Sequence, residues 1–197
     1  MTNSLVKPNR IISSDLHLDH KGIMIHEKRP FADVKEMQAK IIDEINEYGY
    51  DTECYLLGDF VVNSKPKPLE ALLEQLLSKY LFWVPGNHDR RLTAVFERYG
   101  VVSPLMEIKH RERHVMLCHY PMAEWLHGDK GGIHFHGHTH GHYQAPGKIL
   151  DVCWDAHGRV LTMDEAFDLA DANPIYQPCH SKNNGENLIP FKPRISA

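Results

Sequence analysis

The chain has no CxxC pair, no apolar stretch long enough to cross a membrane, no excess of basic residues, and no internal repeat or low-complexity tract. Its four cysteines, Cys54, Cys118, Cys153 and Cys179, are scattered, which excludes the paired thiols of zinc knuckles and redox motifs. The first three sit among apolar residues and read as buried free thiols, as in a reducing compartment. The N-terminal MTNSLVKPNRIISS offers no apolar core ahead of a cleavage site, so a cytoplasmic protein is expected. A formal net charge of −4 leaves no broad basic face for nucleic acid, although a phosphorylated substrate could still be met locally by metal.

What is there is ordinary for a folded protein: 197 residues, 42% apolar and 24% charged. Strand-sized apolar runs fall at 10–14 (RIISS), 54–57 (CYLL), 80–84 (YLFWV), 115–118 (VMLC), 133–135 and 149–154. Between the early ones, Val34, Met37, Ile41, Ile45 and Tyr48 recur at helical spacing after an Asp33/Glu36 capping box. Leu69, Leu72, Leu73, Leu76 and Leu77 repeat the pattern. Alternating helix and strand predicts an α/β protein with partly parallel pairing. Residues 107–109 and 115–118 flank the charged turn HRERH and predict a hairpin, hence mixed sheets. A last helix is expected near Thr162, capped by Thr162 and Glu165. One domain over 1–172 is expected, followed by an irregular tail over 173–197.

A polar cluster stands at the exit of most predicted strands. In order these are Ser14-Asp15-Leu16-His17, Gly58-Asp59, Gly86-Asn87-His88-Asp89, Cys118-His119-Tyr120-Pro121 and Gly137-His138-Thr139-His140. In a layered α/β fold they gather along one edge. Two aspartates brought together repel unless a cation lies between them. Oxygen and imidazole donors without thiolate suit Mn, Fe, Zn or Ni, and there are more of them than one tetrahedral ion uses, so two ions are implied.

This ordered set resembles the calcineurin-like metallophosphoesterases, whose motifs D-x-H, G-D, G-N-H-D/E, H and G-H-x-H appear here as DLH, GD, GNHD, CHYP and GHTH. Small phage and bacterial members are similar also in D-x-H-x-x-H followed by R-P-F, here DLHLDH with His20, then Arg29-Pro30-Phe31. The resemblance implies a four-layer αββα sandwich of mixed sheets flanked by helices. It implies that Asp15, His17 and His140 bind one divalent ion, Asn87, His119 and His138 another, and that Asp59 bridges them. Mn2+ is the first choice, with Fe, Zn or Ni as alternatives. His88 is implied as the group that protonates the leaving oxygen, with Asp89 orienting it. The implied activity is phosphoester hydrolysis by a metal-bridging hydroxide, leaning to a phosphodiesterase on small or nucleotide substrates. A phosphomonoesterase on the same site is the alternative within enzymes, and a silent metal-binding scaffold for protein interaction is the rival of another class.

Other residues carry two readings each. His20 either approaches the substrate phosphate or caps the turn before Lys21-Gly22. Arg90 and Arg91 either clamp substrate or form a solvated helical turn; Asn87, His20 and Arg90 are the substrate-binding candidates. His134 and His136 either support the GHTH loop or sit at a strand edge in water. Tyr120 and Trp125 either stack on a base or pack the loop, HRERH is either a phosphate patch or a polar turn, and 124–132 (EWLHGDKGG) is the one segment free to act as a flap.

Overall fold

The computed structural model describes residues 9–62 and 64–176. All of the expected tail beyond residue 176 lies outside these, as does Cys179. Cys54, Cys118 and Cys153 are free thiols; Cys54 and Cys153 are buried and Cys118 is half-buried.

The helices follow from their first turns and their apolar faces. Helix α2 (Val34–Asn46) starts where the Asp33 carboxylate accepts the Glu36 N–H at 2.9 Å, and it buries Met37, Ile41, Ile42 and Ile45 along one stripe. Truncating one of these, such as Ile41→Ala, costs about 2–5 kcal/mol. The box is incomplete, because the Glu36 side chain takes the Ala32 N–H and not that of Asp33. Helix α3 (Pro66–Leu73) opens on a proline whose missing N–H would have had no helical partner. It stops short of the expected 77, because Gln75 and Leu76 donate to Leu72 and Leu73 and tighten the last turn out of the helix, leaving Leu77 56% exposed. Helix α6 (Met163–Asp171) has the full expected box: Thr162 Oγ1 accepts the Glu165 N–H at 3.2 Å and the Glu165 carboxylate accepts the Thr162 N–H at 2.9 Å. Three shorter helices, α1 (Lys21–His26), α4 (Thr93–Phe96) and α5 (Trp154–His157), had no counterpart in the periodicity.

The strands form two mixed sheets. The first is ordered β4 (Gly100–Val102), β3 (Tyr80–Trp83), β2 (Glu53–Leu56), β1 (Arg10–Ser13), β9 (Leu161–Thr162), parallel except for β9. The second is ordered β5 (Leu105–His110), β6 (Arg113–Cys118), β7 (Ile133–His136), β8 (Ile149–Asp151), parallel except for the β5–β6 hairpin. The sandwich of mixed sheets flanked by helices is therefore as expected. Strand β1 shows why its sequence lacks alternation: Ile11 packs with the α2 and α3 stripes, while Ile12 packs with Val115, Leu117 and Phe135 of the other sheet and with Phe167 of α6. Both faces are covered, so both are apolar.

The run 149–154 is corrected from one strand to a strand, a turn and a helix. Asp151 Oδ1 accepts the Cys153 N–H at 2.8 Å, which turns the chain, and Trp154 then opens α5. The HRERH turn is the polar hairpin tip: His110 pairs with Arg113, Arg111 and Glu112 take φ of 47° and 61°, and Asp164 of α6 receives both His110 and Arg111.

Candidate metal centre

Five strand exits meet at one edge. Asp15 follows β1, Asp59 follows β2, Asn87 and His88 follow β3, His119 follows β6, and His138 follows β7. Backbone hydrogen bonds lace the loops: Asp15 N–H to Gly58 O, His17 N–H to Asp59 O, and Gly137 N–H to His119 O, each 2.9 Å. A single parallel bridge between Ser14 and Cys153 ties the two sheets at the same place. The packing is close enough to require glycine at Gly58, whose Cβ would overlap the His119 ring and the Gly86 backbone, and at two further positions. A Cβ on Gly86 would overlap the Asp59 carboxylate, and one on Gly137 would overlap the Ser14 hydroxyl and the Asp15 carboxylate.

Two sets of ligand atoms result, each clustered within 4.8 Å: Asp15, His17 and His140, with both Asp15 and His17 buried, and Asp59, His119 and His138, with His138 exposed. Five of these six residues hold a left-handed backbone, with φ of 56° at Asp15, 49° at His17, 53° at Asp59, 70° at His138 and 48° at His140. For residues with a Cβ this conformation costs free energy, of order 1–3 kcal/mol each, and it is kept where surrounding structure enforces it.

The donor set fits divalent cations. Asp15 Oδ2 is saturated by the His138 N–H at 2.8 Å, the Cys153 thiol at 2.9 Å and the Ser14 hydroxyl, whereas Oδ1 is buried with no hydrogen-bond partner, 3.5 Å from His140 Nε2 and 3.8 Å from His17 Nε2. Both ring nitrogens of His17 are likewise buried and unpaired. Unsatisfied buried polar atoms cost about 1–3 kcal/mol each, and a cation between them removes the cost. Burial alone would raise the Asp15 carboxyl, but the neighbouring imidazoles and the Cys153 thiol hold it below the usual range. Burial pushes the Cys153 thiol well above its ordinary value, so it stays a donor.

The imidazoles are aimed from behind. His119 donates Nδ1–H to Leu57 O at 2.7 Å, which leaves Nε2 facing Asn87 Oδ1 at 3.1 Å and Asp59 Oδ2 at 3.5 Å. His140 Nδ1 meets Asp155 Oδ2 at 2.7 Å, turning Nε2 toward Asp15. Burial disfavours protonated His140, yet Asp155 and Asp15 raise its pKa overall.

Three further residues build this edge without any motif to mark that role. Arg29, its side chain fully buried, donates to the carbonyls of Asp15 at 2.8 Å and Leu16 at 2.7 Å, and pairs through two nitrogens with Asp155. One guanidinium thus fixes the strained Asp15–His17 turn and the carboxylate behind His140. Asp151 Oδ2 accepts from Thr139 Oγ1 and from Gly141 N at 2.8 Å, clamping the GHTH loop. Arg29 opens the Arg29-Pro30-Phe31 segment, and Asp151 and Asp155 end or follow a strand beside the site, but nothing in local spacing pairs them with it.

His88 is 43% exposed in its side chain; its Nε2 lies 4.0 Å from Asp59 Oδ2 and its backbone N–H donates to Asp59 Oδ1 at 2.9 Å. Asp89 does not orient that ring, and this expectation is corrected. Its oxygens accept from Gly86 N at 2.7 Å and Phe60 N at 3.0 Å, so it locks the GNHD loop onto the Gly-Asp loop instead. Burial pushes its carboxyl up to about 6. His20 makes no side-chain cap on α1, and its ring stands 5.7 Å from that of His17, at the site. Arg90 is exposed with its guanidinium 5.9 Å from the Tyr120 ring centre. His134 and His136 are buried, not at a wet edge: His134 donates to Met116 O and accepts from Met122 N, holding the loop after His119, and burial pushes its pKa down to about 4. Trp125 packs within 124–132, donating to Gly132 O at 2.9 Å. His142, assigned nothing, pairs with Glu27 on the surface.

Two mixed sheets carrying paired Asp/His clusters on strained loops define an α/β sandwich with a candidate metal centre. The chain belongs to one family with the uncharacterized protein MJ1445 of Methanocaldococcus jannaschii, to which it is 32% identical over 132 residues, 66% of this chain and 68% of that protein. No protein-family model matches the chain. A protein of unknown function from Aquifex aeolicus, AQ665, shares the fold at a TM-score of 0.64 with 18% identity, covering 82% of this chain and 98% of that one. The structure of a novel archaeal phosphodiesterase aligns at a TM-score of 0.47 with 16% identity, over 80% of this chain and 95% of that one, too distant for inference.

Proposed function

We propose that the protein is a divalent-metal-dependent phosphoesterase of the calcineurin-like type. The observation that carries this is the pair of Asp/His sets, held on left-handed backbone at five positions with buried ligand atoms left unpaired. Asp15, His17 and His140 would hold one ion, and Asn87, His119 and His138 the other, with Asp59 between them. Divalent ions there supply Lewis-acid stabilisation of phosphoryl charge and make water acidic enough to attack phosphorus at neutral pH.

The remaining roles belong to the chain. Asn87 is exposed beside His119, and its amide N–H would donate to a non-bridging phosphoryl oxygen. His88 projects into solvent over the Asp59 carboxylate, so its Nε2–H is placed to pass a proton to the departing ester oxygen. His20, facing the His17 ring, lies on the same side and would bind the phosphate from the first loop. No serine or cysteine nucleophile is required, in keeping with the Cys54 and Cys153 thiols, which burial pushes up. An open site with no cap among the described residues favours a small phosphodiester over a folded phosphoprotein.

The test is hydrolysis of bis-p-nitrophenyl phosphate beside p-nitrophenyl phosphate by metal-stripped protein, with Mn, Ni, Zn or Mg restored singly. Metal-restored turnover with the diester ahead is expected. Turnover that survives chelation would overturn the proposal, and a monoester preference would replace the diesterase reading with a phosphatase.

A further inference from the structure

Beside the second Asp/His set lies a cleft of about 390 Å3, within the size range of small-molecule sites. His119 forms part of its wall, so it opens directly from the candidate metal centre. The other walls are mainly apolar: Pro85 ahead of GNHD, Val102 at the end of β4, Pro104 just after it, and the Tyr120 ring, which lies edge-on to His119 at 4.9 Å and to His138 at 4.7 Å. Arg90 stands at the cleft with its guanidinium 5.9 Å from the Tyr120 ring centre, and no carboxylate among the described residues pairs with it.

The geometry points to a specificity subsite here for a flat, uncharged ring esterified to the phosphate that the metal centre holds. This rests on the phosphoesterase reading and names its substrate class: phosphodiesters whose retained group is an aryl ring or a nucleobase-sized heterocycle. Three features favour a ring over a second phosphate. Proline and valine walls and the Tyr120 ring present mainly carbon and favour an apolar group over a hydrated one. Arg90 reaches the Tyr120 face, which suits a guanidinium that covers a stacked ring. Glu97 is the carboxylate lining the same cleft, and it repels a second anion.

The experiment compares phenyl p-nitrophenyl phosphate with methyl p-nitrophenyl phosphate on the metal-loaded protein. The p-nitrophenolate leaves from both, so only the retained group differs. The expected phenyl-to-methyl ratio in kcat/KM is about tenfold or more, the scale at which apolar pockets discriminate. It should fall toward one in Val102→Phe, which fills the cleft, and fall markedly in Arg90→Ala. Arg90 is exposed, so Arg90→Ala decides the matter if Val102→Phe fails to fold. A wild-type ratio near one, or an unchanged ratio in the folded variants, would overturn the subsite and leave the phosphoesterase standing. No turnover of either ester with any metal would overturn both.

Discussion

Arg29 meets Asp155 through two nitrogens, Nε at 2.6 Å from Oδ1 and Nη2 at 2.7 Å from Oδ2, and Asp155 Oδ2 is at the same time 2.7 Å from His140 Nδ1. Residues far apart in sequence thus form one buried relay that ends at a member of the first Asp/His set. The Asp155 carboxyl, which burial alone would raise, is held below its usual range by Arg29 and His140. Asp155→Ala should weaken metal binding at that set by about 10–100-fold, the usual cost of losing the group behind a metal-binding imidazole. Isothermal titration of metal-stripped protein with Mn2+ checks this, and an unaltered binding curve would mean that His140 needs no such support.

Asp59→Asn keeps the shape of the side chain and its acceptor for the His88 N–H while removing the negative charge of the second set. Turnover of bis-p-nitrophenyl phosphate should be nearly abolished. Activity within about tenfold of wild type would count against a shared carboxylate.

His88→Gln separates proton transfer from metal binding. The ring is exposed and lies outside both sets, so metal content should stay unchanged while turnover falls about 10²-fold or more for a poor leaving group. With p-nitrophenolate, which leaves without a proton, the loss should be smaller. Equal losses on both substrates, or loss of metal, would remove the general-acid role.

These roles were unequally legible in the sequence. The clustering of the Asp/His sets could be read because each member follows a strand-sized apolar run, and parallel strands place their exits on one edge. The GNHD and GHTH loops also carry glycine where the Asp59 and Asp15 carboxylates leave no room for a Cβ. Asp155 and Arg29 could not be paired, since only the insertion of β8 beside β7 and the Ser14–Cys153 bridge bring 155 against 15. The resemblance implies that Asp89 orients His88, whereas this strand-exit loop turns the two side chains apart and sends Asp89 inward to the Gly86 and Phe60 N–H groups. Strands β4 and β9, of three and two residues, were too short to show a period. The end of β8 was hidden because apolar residues resume directly after Asp151, whose side chain makes the turn.

The cap on α6 gives a pH-dependent stability that is independent of the metal centre. Hydrogen bonds from Arg159 first, then from Thr162, hold the Glu165 carboxyl at about 2, below the ordinary 4.5. A group whose folded pKa is depressed stabilises the fold above its unfolded pKa and loses that contribution as pH falls through the folded value. The gap in melting temperature between wild type and Glu165→Gln should therefore be full above about 4.5 and close as pH falls toward 2. The Glu165 side chain is partly exposed, so the gap should be small and should shrink further in high salt. A gap that is constant across this range would show that the charge contributes nothing to the cap.

The central claim is that this strained edge exists to hold two ions for phosphoester hydrolysis. The most direct measurement follows bound Mn2+ and diester turnover together as metal-stripped, folded protein is titrated. Two ions bound per chain, with turnover rising only as the second is taken up, is the predicted result. Folded protein that binds no ion, or that binds two and hydrolyses no phosphoester, would contradict it.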